Sequence, residues 1–140
     1  GEISNERTNA STTQCFDPRT GDWAFGMLER FGLHRSIFGP ITSPGVSIGS
    51  LRADVAEETG LRGVRVILPG THDTASAVAA VPAHEPPAAR PDWCYVSLGT
   101  WALVGAELAS PLVTPECLAR NFTNEAGIGG TTRLLTNVCG

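Results

Sequence analysis

Lysine is missing altogether: all ten basic residues of the 140-residue chain are arginine. Without lysine there is no Walker A loop, no β3-type kinase lysine and no Schiff-base chemistry within these residues. A nucleotide is still accommodated in principle, because backbone amides and a magnesium ion hold phosphates too. Aromatics are sparse, at 6% of the chain with a single tyrosine, and methionine occurs once. No apolar run reaches the ~20 residues that a bilayer crossing requires, so no membrane partner is expected. Basic clusters are also absent, and the balance of ten Arg against fourteen Asp and Glu gives a net charge of −4. Phosphate neutralisation by clustered cations is what drives nucleic-acid affinity, so no nucleic-acid partner is expected either. Cys15, Cys94, Cys117 and Cys139 form no Cys-x-x-Cys pair. They read as free thiols of a cytoplasmic protein, in a chain with enough apolar residues to do without disulfide staples. His34 and His84 lie near no cysteine at ligand spacing, which leaves no metal site to propose from sequence.

What is present supports a packed core: 41% of residues are hydrophobic and mean hydropathy is +0.01. The chain opens without methionine and stops after an apolar Leu134-Leu135 pair, so it reads as a piece of a longer protein. Hydroxyl and amide side chains crowd the stretch up to Phe16, which reads as loop. Residues 17–22 form a turn signal around Pro18 and Gly21. Trp23, Met27 and Phe31 recur at helical spacing, with Leu28 beside them, and Gly32 suits a left-handed cap. The Gly-, Pro- and Ser-rich segment through Ser50 reads as a surface connection. A helix is expected over 51–59, with Ser50 as N-cap and Gly60 as stop. Residues 65–68 read as a buried strand, and residues 74–80 as a helix of small side chains. Prolines at 82, 86, 87 and 91 mark a linker. Beyond it, residues 93–98 and 101–106 pair as a hairpin around Gly99-Thr100. Thr114 before Pro115 starts a further helix to Arg120. Residues 127–130 are flexible or close-packed backbone, and another helix is expected to begin near Thr132. The order helix, strand, polar loop, helix is α/β in character.

Three clusters stand out chemically. Gly70-Thr71-His72-Asp73-Thr74 joins a strand to a helix, a position where α/β proteins bind ligands. Asp73 is either a general base with His72 as a neighbouring donor, or a helix cap beside an exposed imidazole. Ser97-Leu98-Gly99-Thr100-Trp101 is either a phosphate-binding turn or an ordinary hairpin. In the third cluster, Glu125 is an acid–base candidate or loop scaffolding, and Asn137 a ligand contact or a turn cap.

Taken together, Thr8-Asn9-Ala10-Ser11-Thr12-Thr13-Gln14, Pro18-Arg19-Thr20-Gly21-Asp22-Trp23, His72-Asp73-Thr74-Ala75-Ser76-Ala77-Val78, Leu98-Gly99-Thr100-Trp101 and Asn121-Phe122-Thr123-Asn124-Glu125 resemble the FGGY family of carbohydrate kinases. The likeness covers nearly the whole chain, and its His-Asp-Thr form is that of the members acting on L-rhamnulose. It implies an α/β, ribonuclease H-like (actin/hexokinase-like ATPase) fold present as partial pieces of two domains. Residues 1–88 would be the C-terminal part of the N-terminal domain, and 89–140 the N-terminal part of the C-terminal domain. It also implies Asp73 as catalytic base, with His72, Asp73, Thr74 and Asn137 as sugar contacts and Gly99 and Thr100 at the ATP phosphates. The cofactors implied are ATP and Mg2+, and the reaction is phosphorylation of L-rhamnulose to L-rhamnulose 1-phosphate, with no activity expected of this segment alone. The alternatives are a kinase of L-fuculose or D-xylulose, or a catalytically dead sugar-binding relative; an α/β hydrolase is disfavoured.

Overall fold

A computed structural model describes residues 2–83 and 87–138. The polar opening is not loop throughout. Strand β1 (Asn5–Glu6) runs into a single helical turn, α1 (Arg7–Ala10), because the Glu6 carboxylate caps it by accepting from the N–H groups of Thr8 and Asn9. Strands β2 (Phe16–Asp17) and β3 (Asp22–Trp23) pair across the turn expected around Pro18. Trp23 therefore belongs to a strand, and α2 starts two residues later, at Phe25–Arg30. Its indole is drawn away from the helix by a hydrogen bond to the Gly39 carbonyl, 2.8 Å, and by Phe38, 5.0 Å between ring centroids. Ala10, Trp23 and Leu28 make the first core.

Within the expected surface connection, β4 (Ile41–Thr42) lies parallel to β1, and β5 (Ser47–Ser50) lies antiparallel to a later strand, β6 (Arg65–Ile67). Between them α3 (Ala53–Thr59) ends at Gly60 with φ 74°, as its sequence requires. Its N-cap is Arg52 and not Ser50, with no side-chain cap bond. Strand β6 is less covered than its apolar letters suggest, since Ile67 remains 46% exposed. Residues 45–49 spell Gly-Val-Ser-Ile-Gly, the letters of a hydrolase nucleophile elbow. Ser47, however, opens β5 opposite Ile67, whereas an elbow serine sits on the turn from strand to helix. The letters match and the geometry does not.

Helix α4 (Asp73–Ala79) buries Ala75 and Val78. The described residues of the expected linker include no named strand, only an isolated bridge from Ala88 to Leu108; residues 84–86 lie outside the described residues. Then come β7 (Tyr95–Leu98), β8 (Ala102–Leu108), α5 (Pro115–Ala119), β9 (Thr123–Ala126) and β10 (Thr132–Asn137). The hairpin and the Thr114 cap are as expected, with Thr114 Oγ1 accepting from Cys117 N at 3.2 Å. The helix expected near Thr132 is instead β10, an inner strand bonded to β8 on one side and β9 on the other. The order of this antiparallel sheet is β7-β8-β10-β9. Partners on both edges outweigh the local preference of Leu134-Leu135 for helix. Val78 of α4 packs with Tyr95 and Leu135 in a second core.

Cys15, Cys94 and Cys117 are free thiols, and Cys139 lies outside the described residues. Among the described residues no helix is long and apolar enough to cross a membrane.

Tyr95 faces Gly105 across the β7–β8 pair, and its ring lies where a side chain would stand. A Cβ at position 105 would come within 2.6 Å of the Tyr95 hydroxyl oxygen and 2.8 Å of the Leu134 carbonyl. Gly105→Ala should therefore destabilise the intact protein by about 1–3 kcal/mol, the usual penalty of overpacking. Urea denaturation checks this, and an unchanged midpoint would mean that the tyrosine moves aside freely.

Candidate functional site

The loop before α4 is fixed from below by a buried carboxylate. Glu6 accepts from Thr8 N (2.8 Å), Thr8 Oγ1, Asn9 N (3.3 Å), Thr71 N (2.9 Å) and Thr71 Oγ1 (2.9 Å). The Thr8 hydroxyl in turn accepts from His72 N at 3.2 Å. Glu6 and Thr8 are both buried. Burial alone would raise the Glu6 carboxyl, but the donors of Thr8 and Thr71 outweigh it and hold the group below its ordinary value. Gly70 completes the mounting, because the Ile128 side chain occupies the space a Cβ would need there.

His72, and not Asp73, caps α4: its Nδ1 accepts from Ala75 N at 3.4 Å. Asp73 is left as the first residue of the helix, exposed, with Oδ1 accepting from Thr74 N at 2.5 Å and from the Thr74 hydroxyl at 3.2 Å. The Thr74 N–H first, then its hydroxyl, hold the Asp73 carboxyl below the usual aspartate range. Asp73 is thus a carboxylate at neutral pH with an oxygen directed to solvent.

A second buried charge approaches from the sheet. Arg133 on β10 is fully buried and donates from Nη2 to Glu125 Oε2 at 2.8 Å and from Nε to the Ala126 carbonyl at 3.3 Å. The same Nη2 lies 3.2 Å from His72 Nδ1. The Tyr95 hydroxyl lies beside this guanidinium, and burial pushes the phenol up to about 12. Sequence reading missed Glu6, Thr8 and Arg133. The one signal for Arg133 was its phase, since it shares a face of β10 with buried Leu135. Glu125, weighed as loop scaffolding, stands on β9 as the partner of that arginine.

One cleft of about 380 Å³ is lined by His72, Asp73, Thr74, Ser97, Gly99, Thr100, Trp101, Leu103 and Glu125. It brings the His-Asp-Thr loop and the Gly-Thr turn, distant in sequence, to facing walls. Gly99 has nothing within 4 Å of where a Cβ would be. Thr100 is exposed, and no hydrogen bond among the described residues engages its N–H or hydroxyl. Open glycine backbone beside a free N–H and hydroxyl suits the oxygens of a phosphate chain. Asn137 does not line this cleft; it is exposed at the end of β10, opposite Leu103. A larger hollow of about 660 Å³ lies against Phe16, Trp23 and Phe25. Its carboxylates are Asp17, paired with Arg19, and Asp22, whose Oδ1 accepts from the Trp23 N–H.

The profile of the N-terminal domain of the FGGY family of carbohydrate kinases matches residues 1–80. The chain belongs to this family. Over all 140 residues it is 44% identical to a rhamnulokinase of Bacteroides thetaiotaomicron and 42% identical to one of Oceanobacillus iheyensis. It spans 28% of the length of each of these curated relatives. Among solved structures, a ligand-bound xylulose kinase from Lactobacillus acidophilus superposes with a TM-score of 0.74 at 16% identity, over 96% of this chain and 26% of that one. A xyloylose kinase from Brucella ovis gives 0.74 at 21% identity, over 98% and 27%. The mixed α/β architecture with open sheets is that of the ribonuclease H-like sugar-kinase fold, as expected of an FGGY chain.

Glu6 gives this mounting an acid limit. Its carboxyl is depressed in the folded chain, so its contribution is complete above the ordinary glutamate value of 4.5 and is lost as pH falls through the folded value. Glu6→Gln should cost roughly 1.5–3 kcal/mol at pH 7, the worth of a hydrogen bond to a charged group. Denaturant titrations at descending pH should show that difference shrinking in acid. A constant gap across the range would mean that Glu6 acts through packing alone.

Proposed function

We propose that the full-length protein transfers the γ-phosphoryl group of ATP to the primary hydroxyl of L-rhamnulose, giving L-rhamnulose 1-phosphate and ADP. The observation that carries the reading is the single cleft joining Asp73 to the Gly99-Thr100 turn. Whole-chain similarity to proteins named rhamnulokinase supports the choice of ketose. We further assign residues 1–88 to the end of the N-terminal domain and 89–140 to the start of the C-terminal one. The cytoplasm, where ATP is held, is the compartment that suits this chemistry.

A primary hydroxyl is a weak nucleophile until its proton is taken up. Asp73 supplies the acceptor: as the sugar oxygen bonds to the γ-phosphorus, the proton passes to the free carboxylate oxygen and the bond to ADP breaks. Its lowered pKa keeps it ionised and ready, and closure over substrate, by removing water, raises its basicity toward what the step needs. His72 and Thr74 flank it and offer polar contacts to an uncharged ketose; Asn137, outside the cleft, is given no contact. Gly99 and Thr100 meet the phosphate oxygens. Magnesium, where it accompanies ATP, supplies charge neutralisation. Among the described residues no group of three His, Cys, Asp or Glu fits such an ion, and no role is given to these residues in holding it.

Asp73→Asn is the direct test. Asn preserves size, so ketose binding measured by calorimetry should survive while turnover falls roughly 10²–10⁴-fold. A variant that binds ketose normally and keeps more than about a tenth of wild-type turnover would remove Asp73 from that role, since a base contributes far more than this. A panel of ketoses assayed with ATP separates L-rhamnulose from L-fuculose and D-xylulose.

Thr100→Val deletes a hydroxyl and leaves the backbone N–H. The ATP Michaelis constant should rise by about tenfold or more, as expected for a lost bond to a charged oxygen, with ketose affinity retained. Loss of ketose affinity at unchanged ATP constants would assign that turn to the sugar.

A further inference from the structure

The guanidinium of Arg133 makes a contact that the phosphoryl-transfer scheme does not use. Its Nη2 carries two hydrogens and has two acceptors, Glu125 Oε2 at 2.8 Å and His72 Nδ1 at 3.2 Å. Guanidinium has donors only, so Nδ1 must present its lone pair. The Ala75 N–H, 3.4 Å away, asks the same of that nitrogen. Both demands fall on Nδ1, and the ring proton is left on Nε2. Arg133 cannot turn aside to relieve this, because it is 0% exposed and its Nε is spent on the Ala126 carbonyl. Glu125, at 15% side-chain exposure, balances the charge. His72 itself lines the cleft, and with Nδ1 engaged behind it, Nε2 is the nitrogen available to a ligand.

We infer that Arg133, neutralised by Glu125, is a positioning residue that locks His72 as the Nε2–H tautomer, so that the imidazole meets the ketose as a hydrogen-bond donor to one of its oxygens. The inference rests on the ketose-kinase reading above. It also assigns a selectivity: a hydroxyl or carbonyl oxygen is accepted at that point, and a group that only donates is not. Glu125 is thereby removed from acid–base duty, since its charge is committed to the arginine.

The test uses the full-length enzyme. In wild type labelled with 15N-histidine, long-range 1H–15N correlation should show His72 with a protonated Nε2 and an unprotonated Nδ1, the assignment coming from the peaks lost in His72→Ala. A protonated Nδ1 overturns the inference, and this measurement needs no altered arginine. Kinetically, Arg133→Met should raise the ketose KM roughly 3–10-fold, the worth of one neutral hydrogen bond, and leave the ATP KM within about twofold. In the His72→Ala background the same substitution should add less than about twofold to the ketose KM, because the ring it positions is gone. Arg133→Lys, which retains a donor, should recover part of the loss. An Arg133→Met effect of full size in both backgrounds, or none in either, overturns the positioning role while leaving the ketose-kinase reading intact. If His72→Ala itself leaves the ketose KM unchanged, the failure belongs to the assigned sugar contact, and the positioning role falls with it.

Discussion

Five hydrogen bonds converge on the carboxylate of Glu6, and they come from two segments of chain more than sixty residues apart. Removing a charge from water is costly, and only a nearly complete set of donors makes it tolerable. That requirement fixes geometry. The α1 turn must present its first N–H groups on one side, and Thr71 must present both its N–H and its hydroxyl on the other. The loop carrying His72 and Asp73 is therefore placed by a residue that takes no part in chemistry. An exposed loop of hydroxyls and glycine would otherwise sample many conformations, since each ordered residue costs about 1–2 kcal/mol of backbone entropy.

Arg133 supplies the opposing constraint from the sheet. The two buried charges lie on either side of the same loop, Glu6 reaching Thr71 and Arg133 reaching His72. Each is held locally, Glu6 by the donors of Thr8, Asn9 and Thr71, and Arg133 by Glu125 and a carbonyl, with its Nη1 left without a partner among the described residues. Neither needs Asp73, so the one carboxylate left free in the cleft keeps its oxygen for other work. What lowers the Asp73 carboxyl is first its own Thr74 donors.

How much of this is legible in the chain follows from the range of each interaction. Helix α4 and the β7–β8 hairpin were readable because their signals are local: small residues after a capping position, and two β-rich runs about a glycine turn. The site loop was readable through its letters, down to His72, Asp73, Thr74, Gly99 and Thr100 facing one cleft. Strand β10 was misread as a helix because what makes it a strand is a partner on each edge, and no window around Thr132 contains those partners. Trp23 was assigned to a helix for the same reason, its true anchor being the Gly39 carbonyl. An arginine in isolation reads as surface, and only the alternation along β10 hints that Arg133 points inward. Glu6 looked like part of a polar loop, and nothing nearby in sequence announces Thr71 as its partner.

The seam between the family-matched residues 1–80 and the later sheet separates adhesion from register. Adhesion comes from Val78 of α4 against Tyr95 and Leu135, with Ala75 buried on the same helix. Apolar burial is non-directional, so a helix of small side chains could slide over that surface at little cost. Register comes instead from contacts with strict geometry: Ser11 Oγ accepting from Ala126 N at 2.9 Å, Arg133 meeting His72, and Ile128 filling the space over Gly70. Misalign them by an ångström and a buried hydroxyl or guanidinium loses its partner, which costs about 1–3 kcal/mol or more for the charged group. Of these contacts, the one from Arg133 ends on His72, a residue that lines the cleft. The penalty for sliding therefore falls beside the cleft wall that carries His72 and Asp73, and that wall is held in place by residues behind it.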